Sequence, residues 1–256
     1  MMATISVKTK DRIAAGLKKY KTIIKKAQSQ DINESDTVTI IVDMLQDIFG
    51  YDKFNEVTSE VAIKKTFCDL AIKIDDKIKV LIEVKSAGTT LNENHIKQAV
   101  DYGSNKGIDW VVLTNGIIWK IYKIIFGKPV SNEMLYEFDI TAISAKNESE
   151  LLQLYMISKE GIAKSSKTPL QDFYAKKEIV NKFIISNIIL SEDGLNFIRK
   201  NLKKISADSK ATNDDIEGIV KSEIIKREVM DDEAMKLAKN KVNRALKKKA
   251  LNKETK

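Results

Sequence analysis

Cysteine is nearly absent from this chain of 256 residues: Cys68 is the single one. An intramolecular disulfide is therefore excluded, and a reducing compartment is expected. No apolar run approaches membrane-spanning length, and the stretch MMATISVKTKDR lacks the apolar core of a signal peptide. A cytoplasmic protein is the expectation. No G-x-x-x-x-G-K-[ST] sequence occurs, so a phosphate-binding loop of that type is excluded. Internal repeats are also absent. Histidine occurs once, as His95.

What is present is a basic chain with enough apolar residues for a core. Hydrophobic residues make up 43%, and 44 Lys and Arg against 36 Asp and Glu give a formal charge of +8. That balance favours a polyanionic partner such as nucleic acid, although a basic surface also serves solubility. Residues 8 to 30 read as a basic helix, with Ile13, Leu17, Tyr20, Ile23 and Ile24 at helical spacing among lysines. A second helix follows through Ile40, Ile41, Met44, Leu45, Ile48 and Phe49. Asn33, Ser35 and Asp36 are its candidate N-caps, and Glu34 falls in or just before its first turn.

The most informative stretch is FCDLAIKIDDKIKVLIEVK, from Phe67 to Lys85. Leu70, Ile72 and Ile74 alternate on one strand, and Ile78, Val80 and Ile82 on the next, as in a half-buried sheet. If these sets share a face, a three-residue loop at Asp75-Asp76-Lys77 pairs Leu70 with Ile82. Asp69 then stands opposite Glu83 on the other face, with Lys85 on Glu83's side. Adjacent carboxylates repel, so a cation between them is expected. Asp69, Glu83 and the Val84 carbonyl are oxygen donors of the kind Mg²⁺ takes, and Lys85 can orient a water or hold a phosphate. An E-x-K on a strand is common by itself, and a solvated polar hairpin face is the competing reading.

A strand over 57–63 precedes this hairpin. A helix over 91–105 follows, carrying Gln98 and Tyr102 on one face, with Gly103 and Gly107 breaking it near its end. Strands over 110–114 and 117–126 flank the hairpin signal Asn115-Gly116. His95 reads as a surface or supporting residue, and Trp110 and Trp119 as core. Beyond Glu148 only helical spacing remains, including one segment over 173–189 and another over 216–226. From Lys236 the density of lysine predicts a fraying helix or tail. The expected organisation is a basic helix (1–30), an α/β domain (31–145), a helical region (146–235) and the tail (236–256).

The pattern D-(x)13-E-V-K, with Glu34 before it and Gln98-x-x-x-Tyr102 after it, resembles the PD-(D/E)xK nuclease superfamily. More narrowly, the stretches NESDTVTIIVDMLQDIFGYD, FCDLAIKIDDKIKVLIEVKSAG, HIKQAVDYG and VVLTNGIIWKIYKI are similar to the N-terminal nuclease domain of type I restriction enzyme R subunits. The resemblance covers about residues 30 to 125. It implies a restriction-endonuclease-like α/β fold, with a mixed central sheet flanked by helices, and Mg²⁺-dependent DNA cleavage with Mn²⁺ able to substitute. Asp69 and Glu83 would be metal ligands with Val84, and Lys85 the catalytic lysine. Glu34 would be an accessory acid. Gln98 and Tyr102 would support the site or, with Lys85, contact DNA. Glu60 sits where relatives often carry an acid, and Cys68 replaces the motif's proline. Expected partners are DNA, a second copy of the chain, and restriction-system or phage proteins. The alternative is a catalytically silent DNA-binding or regulatory module on the same fold, and RNA as substrate stays open.

Overall fold

The computed structural model describes residues 4–63, 66–164 and 168–254, without the side chains of 60–67 and 247–254. The chain divides into two compact units, one ending at Asp172 and the other beginning at Phe173.

The first unit is a six-stranded mixed sheet in sequential order with helices on both faces. Its strands are β1 (Val57–Ile63), β2 (Thr66–Ile74), β3 (Lys77–Val84), β4 (Trp110–Thr114), β5 (Ile118–Ile125) and β6 (Ser131–Asp139). Only β3 and β4 are parallel, because the helix α3 (Lys97–Lys106) carries the chain across between them. Helices α1 (Val7–Ser29) and α2 (Glu34–Asp47) precede the sheet. Ser6 caps α1 by accepting the Thr9 N–H, and Ile13, Leu17, Tyr20 and Ile24 form its buried stripe. At Gly16 the two helices touch: an added Cβ would stand 2.6 Å from Ile48 Cγ1 and 3.1 Å from the Asp47 carbonyl. The basic helix is thus integral to the unit's core rather than a separate segment. Its Lys18, Lys25 and Lys26 remain exposed.

The hairpin departs from expectation in two ways. Asp75 and Asp76 both take positive φ (50° and 57°), the two-residue turn that matches strand twist, and Ile74 pairs with Lys77. A bulge between Ile72 and Lys73 then takes up one extra residue, Lys79, on β3. The two differences compensate, so Leu70 still pairs with Ile82. The second departure concerns burial. Ala71 and Leu81, on the carboxylate face, are as buried as Leu70 and Ile82 behind them. They pack with Ala99, Val100 and Tyr102 of α3, so the hairpin is covered on both sides rather than half-buried.

Gly103 does not break α3. It lies inside the helix, facing Ile124 and Leu81 so closely that an added Cβ would have to displace the Ile124 side chain, and Gly107 in the left-handed region ends the helix. Strand β6 was not anticipated. Its sequence SNEMLYEFD buries only Leu135, Tyr136 and Phe138, as an edge strand can. Trp119 stacks with Phe138 in the core beside Phe49.

Two more helices complete this unit, α4 (Glu148–Met156) and α5 (Lys159–Ile162). The buried Tyr51 hydroxyl donates to the Ile157 carbonyl at 2.8 Å, and the Lys159 N–H to the Phe49 carbonyl at 2.9 Å. Arg12 pairs with Glu160. Helix α6 (Pro169–Ile179) carries the chain past Asp172.

The second unit is helical: α7 (Lys182–Ile189), α8 (Glu192–Ile205), α9 (Asn213–Ile219), α10 (Arg227–Met230) and α11 (Glu233–Glu254). The segment expected as one helix over 173–189 is broken at Asn181, whose side chain caps α7 through the Ile184 N–H and holds the Glu178 carbonyl behind it. Thr212 and Asp215 form a capping box on α9. The lysine-rich stretch from Lys236, expected as a fraying helix or tail, lies in α11, where Met235, Ala238 and Val242 are buried. No helix among the described residues is long and apolar enough to cross a membrane.

Candidate active site

The carboxylate pair sits where β2 and β3 run under α3. Alternation from the Leu70–Ile82 pair puts Asp69 beside Glu83 on the face shared with Ala71 and Leu81. Asp69 Oδ2 accepts the Val84 backbone N–H at 2.7 Å, which ties its side chain to the next strand. In an extended strand a residue's N–H and C=O leave on the same side. The Val84 carbonyl therefore heads toward Asp69 as well.

Glu83 is 6% exposed. Its Oε1 accepts from Lys85 Nζ at 2.9 Å, while Oε2 is buried with no hydrogen-bond partner among the described residues. An unpaired buried acceptor is costly and rare, and it is the type of atom that a cation would satisfy. Burial pushes the Glu83 carboxyl up to about 7, with Asp69's charge adding and the Lys85 hydrogen bond opposing. Burial also raises Asp69, against its backbone hydrogen bond. For Lys85, burial works to lower the pKa, but the hydrogen bond to Glu83 and the surrounding carboxylates outweigh it and raise it.

Helix α2 contributes the third acid. Asn33 caps the helix through the Asp36 N–H, which places Glu34 in the first turn, and Glu34 Oε2 reaches Lys85 Nζ at 3.3 Å. Glu34 is thus joined to the pair through the lysine. Among the described residues no group of three or more His, Cys, Asp or Glu could hold a metal together. Two carboxylates and one carbonyl remain as donors, which suits Mg²⁺, an ion that keeps several waters and takes few protein oxygens.

The loop after Lys85 is pinned by residues that sequence reasoning did not single out. Buried Thr37 accepts the Ala87 N–H on its hydroxyl, which donates in turn to the Asn33 carbonyl. The Asn115 side chain donates to the Thr89 carbonyl and accepts the Ile117 and Ile118 N–H groups. Asn-Gly signalled a turn there; nothing in the sequence signalled that its amide would reach the loop. The Lys85 N–H itself donates to the Thr114 carbonyl.

This arrangement lies within a segment that resembles a known family. Residues 34–137 match the family model for the type I restriction enzyme R protein N terminus. The match covers α2, the whole sheet nearly to the end of β6, and α3. No significant match was found among curated proteins or among solved structures. Asp69, Glu83, Lys85 and Glu34 all fall inside the segment similar to the R protein N terminus, and the fold brings them together.

The remaining expected residues lie elsewhere or in other roles. Gln98 is exposed in the first turn of α3, and Tyr102 is 4% exposed in the core beneath the same helix, near Cys68. Tyr102 also lines a cavity at the start of β3. Among the described residues neither is hydrogen-bonded to the carboxylates, and with Gln98 exposed and Tyr102 buried the four-residue spacing did not deliver a shared open face. His95 completes a capping box with Asn92 at the 3₁₀ turn Glu93–Ile96. Cys68 is buried, and burial pushes its thiol up to about 12. The side chain of Glu60 lies outside the described residues.

Proposed function

We propose that the first unit hydrolyses DNA phosphodiesters with Mg²⁺, as a restriction- or defence-type nuclease. The observation that carries this reading is the buried, unpartnered Glu83 Oε2 beside Asp69, with Lys85 held between Glu83 and Glu34. Asp69, Glu83 and the Val84 carbonyl would hold the cation. When bound, Mg²⁺ would neutralise phosphate charge and acidify an attacking water. Asp69 keeps its orientation through the Val84 N–H, so its geometry is preset by the strand pair. Lys85, kept protonated by its carboxylate neighbours, donates to a phosphate oxygen as charge builds there, or orients the water. Glu34 fixes the ammonium from the side of α2. The exposed Lys18, Lys25 and Lys26 of α1 supply sequence-independent attraction to a phosphate backbone.

Plasmid cleavage by wild type beside Lys85→Ala, in Mg²⁺, Mn²⁺ and EDTA, tests the reading. Metal-dependent nicking is expected, reduced in the variant by roughly 10²-fold or more. Equal, salt-sensitive DNA retention by both proteins without cleavage in any metal would overturn it and favour a binding module.

A further inference from the structure

A cavity of about 710 Å³ opens at the start of β3, at the far end of the strand from Glu83. Its volume is that of a small-molecule site, and the strand's rise of about 3.3 Å per residue puts its β3 lining, from Lys79 back to Lys77, roughly 13–20 Å from Glu83. Lys77 and Lys79 line it from β3, Lys106 from the end of α3, and Lys164 from beyond α5. Among the described lining residues Asp109 is the one acid, and it is engaged by Lys123. Lys77, Lys79 and Lys106 form no ion pair with a described residue. The bulge contributes to this grouping, since Lys79 is the extra residue it inserts and bulges re-aim side chains.

One backbone feature points the same way. Gly107, in the left-handed region, has no atom of a described residue within 4 Å of where a Cβ would stand, which leaves room for a ligand beside the main chain. Thr168 and Gln171, both in the lining, cap the start of α6 through reciprocal hydrogen bonds and so fix that part of the wall. The rest of the wall is apolar, from Ile78, Ile108 and Ile162.

We propose that this cavity binds the phosphate chain of a nucleotide, as a site separate from the carboxylates. Lysines ringing one concave volume suit a compact polyphosphate, and the apolar wall suits the nucleoside attached to it. A duplex would instead be met by a stripe of cations on an open surface.

Calorimetric titration of the full chain with ATP and with inorganic triphosphate, in metal-free buffer, tests this. Wild type and Glu83→Gln are expected to bind ATP alike. Lys79→Ala/Lys106→Ala is expected to weaken ATP by about tenfold, equivalent to one charge-assisted hydrogen bond, without a change in thermal unfolding. Lys79→Gln serves in its place if the double variant misfolds. Failure of both probes to bind wild type, or equal binding by the lysine variant, overturns the proposal. So does displacement of ATP by a short DNA duplex that loses affinity in the same variant.

Discussion

Glu83 occupies an unfavourable position for a carboxylate, and that has a measurable consequence without any assay of cleavage. Its folded pKa, pushed to about 7, lies above the ordinary 4.5, so between these values the folded chain holds a proton that the unfolded chain has released. Stability from this group is therefore complete below about pH 4.5 and is lost as pH rises through 7. Asp69, raised for the same reason, acts in the same direction. Glu83→Gln cannot titrate. Between pH 5 and 8, metal-free wild type is expected to lose roughly 2 kcal/mol more than Glu83→Gln, read from urea unfolding at each pH. Mg²⁺ should raise the wild-type Tm more at pH 8 than at pH 6, because at pH 6 a proton already occupies the carboxyl. Parallel pH profiles for the two proteins would show that Glu83 is not the strained group.

At the scale of elements, the geometry of Lys85 depends on how α2 and the β4–β5 turn grip the following loop. Thr37 is wholly buried and supplies the acceptor for the Ala87 N–H. Thr37→Val keeps the shape but leaves that N–H unsatisfied, which should cost about 1–3 kcal/mol in denaturant midpoint-derived stability. Thr37→Ser restores the acceptor and should recover most of the loss; no recovery would mean that the methyl packing, not the hydroxyl, holds the loop. The same elements show what a sequence can and cannot reveal. The Leu70–Ile82 register was legible because alternation is strict on both strands, and the two-residue turn and the Lys79 bulge cancelled. The contact of Glu34 with Lys85 was only half legible: capping placed the acid in the first turn, but its reach to the lysine is tertiary. Strand β6 was hidden because its first half is polar and exposed, so it carries no alternating apolar signal. Tyr102 looked like a partner of Gln98 because four-residue spacing ignores which residue the sheet buries. The cavity lysines gave no signal at all, since they come from β3, α3 and the chain beyond α5.

The first unit as a whole reaches further along the chain than the segment that matches the family model, residues 34–137. Alternating strands end by Asp139, and composition turns purely helical after Glu148, so sequence placed a boundary at 145. The hydrogen bonds place α4 and α5 on the near side of the division at Asp172. A chain cut after residue 145 would lose the Ile157 carbonyl from the buried Tyr51 hydroxyl and Glu160 from Arg12. The lost carbonyl alone should cost about 1–3 kcal/mol. Removal of Leu151, Leu154, Tyr155, Met156 and Ile162, all buried, would uncover the apolar surface that they cover, at about 25 cal/mol per Å². A typical domain is stable by only roughly 5–15 kcal/mol, so losses of a few kcal/mol decide whether it folds. Residues 1–172 are therefore expected to unfold cooperatively, and residues 1–145 to give no sharp transition in calorimetry or near-UV circular dichroism. A cooperative transition in the shorter chain would show that α4 and α5 are appended to the sheet rather than part of what holds it together.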